Sequence, residues 1–229
     1  MNRVIETVFL DAGGVLVHPN FDRVAASLAE HGVRTSGEAL RLAEPLAKRD
    51  LEDPAFIRAS DDDSRGLVYF ATVLQRAGIV VDERVRETLS ELRQYHAAQN
   101  LWESVASDVV PFLVRLRGRG LRRVVVSNAN GTLQAHFDRL GLSQHFDAIF
   151  DSHVEGVEKP DPRFFEIALE RSAAKKESTV HVGDFYEIDV VGARRAGLEA
   201  ILFDPADVNG DRDCVRVRTL DALAGMLGA

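Results

Sequence analysis

Residues 8–17 read Val-Phe-Leu-Asp-Ala-Gly-Gly-Val-Leu-Val, an apolar run interrupted by one carboxylate, Asp11, and by Gly13 and Gly14 before it resumes. A run this apolar predicts a strand buried on both faces. An acid at its edge is costly unless it is solvated, hydrogen-bonded or set against a cation. Asp11 therefore asks for a chemical partner elsewhere in the chain. The Gly-Gly pair suits a tight turn at which backbone amides approach an anion closely.

Three further runs share the pattern: residues 123–127 (RVVVS), 179–183 (TVHVG) and 200–203 (AILF), each with a polar residue or glycine at its C-terminal end. Between them, Leu133, Phe137 and Leu140 make one helical face and Phe165, Ala168 and Leu169 another. Asp161 before Pro162 predicts an N-cap followed by proline at the first helical position, and Gly141 and Gly197 predict helix ends. Strands alternating with helices predict an α/β fold, a doubly wound, Rossmann-like parallel sheet that binds its ligand beyond the carboxyl ends of the strands.

Residues 18–106 carry almost no strand signal. Leu67, Phe70, Ala71 and Leu74 form one helical face, and Val85, Leu89, Leu92 and His96 another. Thr35 with Glu38 predicts a capping box, and Pro45 predicts a kink or break in the helix that follows. Asp61-Asp62-Asp63 reads as a solvated loop or helix start, not a metal site. The expectation is an all-helical domain, 18–106, inserted into a core formed by 1–17 and 107–229.

The chain has 229 residues, enough for a full core. Its 28 Lys and Arg against 36 Asp and Glu give a net charge of −8, which argues against nucleic acid or an anionic membrane as a partner. No apolar run reaches the roughly 18 residues of a membrane helix, and the first residues meet acid and Gly-Gly too early for a signal peptide, so the expected setting is cytoplasmic. The single cysteine, Cys214, excludes an internal disulfide and reads as filler. Nothing in the sequence signals oligomeric state.

Four strand-end groups belong together if the sheet forms: Asp11, Ser127-Asn128, Lys159 ahead of Pro160, and Gly183-Asp184. They supply a nucleophile, a hydroxyl, a cation and an acid. A carboxylate can attack phosphorus and form an aspartyl phosphate, with Lys159 and the Ser127 hydroxyl holding phosphoryl oxygens and Gly13 and Gly14 offering amides. Asp11 and Asp184 would bind Mg2+, a hard cation that prefers oxygen ligands. Singly, each signal has a plainer reading: Asp-Gly-Gly is a common turn, Ser127-Asn128 a helix cap, Lys159 a solvated lysine.

Taken in order, DAGGVL, VVVSNAN, KPDPRFF and HVGDFYEIDVVGARRAG resemble the four motifs of the haloacid dehalogenase superfamily of aspartate-nucleophile hydrolases. The resemblance covers about residues 5–14 and 109–205, and the helical insertion is similar to the cap many members place there. It implies Asp11 as nucleophile, Ser127, Asn128 and Lys159 against phosphate, Asp184 as metal ligand, the Gly13 carbonyl on the metal, and Asp189 supporting Lys159 or the metal. It also implies a small phosphorylated substrate.

The chain departs from that pattern at two positions. Family phosphatases usually carry a second Asp two residues after the nucleophile, where this sequence has Gly13, and a Thr where it has Val15. General acid–base catalysis is worth on the order of 10² to 10⁴ in rate, so turnover of alkyl phosphates should be slow. His18, Asn20 and Lys48 are candidate substitutes. Two alternatives stand beside the phosphatase: a binding or regulatory protein that keeps the fold without efficient turnover, and a haloacid dehalogenase, against which the intact Asp184 argues. His181 and His136 read as core histidines, Trp102 as packing between cap and core, and Arg119, Arg122 and Arg123 as a solvated cluster.

Overall fold

A computed structural model describes residues 4–229; Met1 to Arg3 and the side chains of Asp63 and Leu67, both read above, lie outside the described residues. Six strands form one wholly parallel sheet: β1 (Thr7–Leu10), β2 (Arg122–Ser127), β3 (Ala148–Asp151), β4 (Thr179–Gly183), β5 (Glu199–Phe203) and β6 (Val215–Val217). Their order is β3-β2-β1-β4-β5-β6. The chain thus winds outward from β1 in one direction, then returns to wind outward in the other, and the reversal falls between β1 and β4. The four residues of β1 are all buried, as an apolar strand covered on both faces must be.

Five helices follow β1: α1 (Phe21–Glu30), α2 (Gly37–Asp50), α3 (Pro54–Ala59), α4 (Asp62–Arg76) and α5 (Glu83–Gln99). Six more flank the sheet: α6 (Val109–Gly118), α7 (Leu133–Arg139), α8 (Ser152–Glu155), α9 (Pro162–Arg171), α10 (Val191–Arg195) and α11 (Leu220–Met226). The chain divides into two compact units, a helical one spanning Pro19–Ser104 and a sheet-bearing one formed by the chain up to His18 and by Val105–Ala229. No described helix is long and apolar enough to cross a membrane.

The helix signals on the sheet unit hold: Asp161 caps α9, accepting from the Arg163 N–H with Pro162 behind it, and Gly141 and Gly197 adopt positive φ just past α7 and α10. Other expectations need correction. Strands β3 and β6, of four and three residues, were not among the four strands expected. The cap of α2 is Ser36, whose hydroxyl accepts from the Ala39 N–H, and not Thr35. Pro45 does not end α2, which runs on to Asp50. An interior proline costs about 3 kcal/mol, and burial of Leu40, Ala43 and Ala47 along the same helix offsets it. The expectation of a helix start at the acidic run holds: Asp61 caps α4 in a reciprocal capping box with Ser64. Arg123 is not solvated: it is buried on β2 and paired with Asp147 at 2.7 Å. Trp102 is a packing residue, as expected, with ring contacts to Tyr69, Phe70 and His96.

Candidate active site

Asp11 follows directly on β1, and its N–H donates to the Val182 carbonyl at 2.8 Å, tying the end of β1 to the end of β4. The chain then closes a small loop: the N–H groups of Leu16 and Val17 both donate to the Ala12 carbonyl, and the Gly14 N–H donates to the Val17 carbonyl, each at 2.9 Å. Gly14 sits at φ +71, where a side chain would be strained. Its amide is therefore taken up inside the turn, so Gly14 shapes the loop and does not present an N–H to a ligand.

The Asp11 carboxylate is buried, and its Oδ1 lies 2.8 Å from Lys159 Nζ. Lys159, only 1% exposed, reaches Asp189 Oδ1 on its other side at 2.7 Å. Burial works against the charge on Lys159, but Asp11 and Asp189 outweigh it and hold the ammonium protonated well above its ordinary range. Burial pushes the Asp11 carboxyl up from 3.8, opposed chiefly by the Lys159 ammonium, while the nearby Asp189 charge adds to the rise. Burial acts on Asp189 in the same sense, yet Lys159 and the His181 hydrogen bond hold it well below the carboxylate range.

Two loops place this lysine. Asn128, just past β2, accepts from the Lys159 N–H at 2.8 Å and donates to the Lys159 carbonyl at 3.0 Å. Its side chain thus clamps the lysine backbone, a role in positioning where sequence reading placed it against phosphate. Asp151, the last residue of β3, accepts from the N–H groups of Gly131, Leu133 and His153 and pins the loop that carries Asn128. Sequence reading missed Asp151 because β3 itself was missed; an acid at the end of a short AIF run was the available signal.

Asp184 is buried just past Gly183 at the end of β4. One carboxylate oxygen each from Asp11, Asp184 and Asp189 lie within 4.8 Å of one another. These are hard oxygen donors of the kind Mg2+ prefers, three buried carboxylates converging at the ends of β1 and β4, so the donor set fits such a cation. Asp189 is the poorest of the three as a ligand: its Oδ1 accepts from Lys159 and His181, and its Oδ2 from the Phe185 N–H. Of the acid–base substitutes, Asn20 caps α1 and bonds Glu103 at 2.9 Å, and Lys48 pairs with Glu44 at 3.0 Å. Both are engaged within the helical unit.

Residues 5–197 match the family described as haloacid dehalogenase-like hydrolase. The chain belongs to this family. The human haloacid dehalogenase-like hydrolase domain-containing protein 3 is 41% identical over 194 residues, covering 82% of this chain and 76% of that one. A glyceraldehyde 3-phosphate phosphatase of Methanothermobacter thermautotrophicus is 38% identical over 110 residues, 48% of this chain and about half (49%) of that relative's length. Among solved structures, a 2-haloacid dehalogenase from Pseudomonas syringae is 25% identical with a TM-score of 0.59, each chain covered to 98%. Phosphorus and carbon–halogen chemistry thus both occur among proteins similar to this hydrolase, and its own residues must decide between them.

Proposed function

We propose that this hydrolase is a Mg2+-dependent phosphatase of small phosphorylated metabolites that works through an aspartyl phosphate on Asp11. The observation that carries the reading is the buried Asp184 beside Asp11, a second acid that attack on a carbon–halogen bond would not need. Asp11, Asp184 and the Gly13 carbonyl would hold the cation, which would neutralise charge on the nucleophile and on the phosphoryl group. As part of the same proposal, residues 18–106 serve as a cap domain, the setting is cytoplasmic, and nucleic acid and membranes are not partners.

In the first step an Asp11 oxygen attacks phosphorus, a new P–O bond forms, and the bond from phosphorus to the substrate's ester oxygen breaks. Lys159 and the Ser127 hydroxyl orient the phosphoryl oxygens and stabilise their charge. The departing oxygen needs a proton that Gly13 has no side chain to give. Water then attacks phosphorus, the P–O bond to Asp11 breaks, phosphate leaves with the water oxygen, and the proton that water loses passes to solvent, restoring the Asp11 carboxylate. Aryl phosphates, whose leaving groups are stable as anions, should therefore turn over better than alkyl ones.

The test is hydrolysis of p-nitrophenyl phosphate with Mg2+ and with EDTA, by the wild type and Asp11→Asn. Metal-dependent turnover that disappears in Asp11→Asn is expected. Turnover that survives the substitution overturns the nucleophile assignment, and halide release from a 2-haloacid in EDTA, without phosphatase activity, overturns the phosphatase. Gly13 and Val15 favour one second reading, a binding or regulatory protein. It predicts that Mg2+ and phosphate bind while no phosphate ester is cleaved.

A further inference from the structure

His181 is fully buried in the middle of β4, opposite Phe9 of β1 and Ala200 of β5, with the Phe165 ring edge-on at 4.9 Å. These surroundings are apolar, and its strand neighbours Val180 and Val182 show what the position accepts. Its Nδ1 is buried with no hydrogen-bond partner among the described residues, a deficit that a valine or leucine would not carry. Its Nε2 makes a single contact, to Asp189 Oδ1 at 2.9 Å. We propose that His181 is a positioning residue for Lys159, acting through Asp189: a neutral imidazole with its proton on Nε2 fixes the carboxylate that fixes the ammonium.

Three features carry this. An orphaned Nδ1 is tolerable as a bare lone pair, whereas a proton there would be a buried donor without an acceptor, so the Nε2–H tautomer is the one the site accommodates. Residues two apart on a strand share a face, so His181 and Gly183 face the same way, and Gly183 has no side chain. A Cβ at 183 would lie 2.1 Å from Asp189 Cγ, so the carboxylate rests in the space that glycine leaves, within reach of the histidine below it. Finally, the two donors to Asp189 Oδ1 come from separate elements, β4 and the loop before α9, and the Phe185 N–H holds Oδ2. With His181 in place the carboxylate has three donors and one orientation, and Lys159 Nζ is held between Asp189 and Asp11. Without the histidine only two donors remain and the carboxylate can turn away from Lys159.

The significance of a fixed Lys159 rests on the phosphatase reading, but the placement can be tested without it. The chain has four lysines, Lys48, Lys159, Lys175 and Lys176, so an amine-acylating reagent followed by mass spectrometry reports Lys159 against internal controls. His181→Gln keeps an N–H within reach of Asp189; His181→Asn has the same amide one methylene short. Acylation of Lys159 is expected to be on the order of tenfold faster in His181→Asn, with wild-type rates in His181→Gln and unchanged control lysines. Equal rates in the two variants, whether slow or fast, overturn the proposal, because reach to Asp189 would then not matter. Should His181→Asn fail to fold, ¹⁵N NMR of the wild type decides: a neutral ring protonated on Nε2 is expected, and a proton on Nδ1 overturns it. With p-nitrophenyl phosphate, kcat should fall in His181→Asn and recover in His181→Gln. Absence of wild-type turnover would count against the phosphatase and leave the acylation result decisive for His181.

Discussion

A single methyl group at position 183 would occupy the space of the Asp189 carboxylate, with Cβ 2.1 Å from Asp189 Cγ. The neighbour is not the end of a long flexible chain but a short buried acid held by three donors, so it cannot give way without releasing Lys159. Gly183→Ala is therefore expected to cost about 1–3 kcal/mol by overpacking, and to lower activity far more than that loss of stability would. Urea unfolding alongside kinetics checks it; wild-type kinetics at reduced stability would show that Asp189 is not needed where it stands. Asp11 is legible at this scale because an acid ending an apolar strand has few inexpensive environments. His181 is only half legible: its burial follows from the strand pattern, but its partner lies eight residues on, across a π-helical turn, Tyr186–Val190, that no periodicity announces.

At the scale of elements, one ion pair reinforces the backbone pairing of the β2–β3 edge. Asp147 accepts from the Arg123 N–H at 2.8 Å and from its guanidinium at 2.7 Å, while Arg123 is buried. Burial pushes the Asp147 carboxyl up, but those donors outweigh it and hold it below 3.8. A carboxyl depressed in the folded state favours folding above its unfolded pKa, and that contribution disappears as pH falls through the folded value. Asp147→Asn is thus expected to destabilise at neutral pH by about 1–2 kcal/mol, discounted because the acid is partly exposed. The gap to wild type should narrow below pH 4, which thermal melts across pH would record; a gap that does not change with pH would show that the charge is not what matters. Elements with long apolar runs, β1, β2, β4 and β5, were readable. Strand β3 fully buries only Phe150 and Asp151 and β6 only Val217, too few apolar positions to leave a pattern, and α2 continues through Pro45 because packing outweighs local propensity.

For the whole molecule, a cation bound by the native site alone stabilises it by mass action, about 2.7 kcal/mol at a hundredfold excess over Kd. Mg2+ is expected to raise the melting temperature of the wild type and not of Asp184→Asn. Equal shifts in both would move the cation away from the β1–β4 crevice.

The sequence by itself determined that strands and helices alternate, that a helical segment interrupts them after the first strand, and that Asp11, Ser127, Lys159 and Asp184 stand at strand ends. Each of these is a local matter of hydrophobic period or of a polar residue closing an apolar run. Only the tertiary structure decided what those groups do to one another. Asn128 clamps a backbone 31 residues away, Gly14 keeps its amide for its own turn, and Asp189 binds Lys159 and His181 together. Such contacts depend on strand order and register, which bring distant residues within 3 Å without leaving any trace in local spacing.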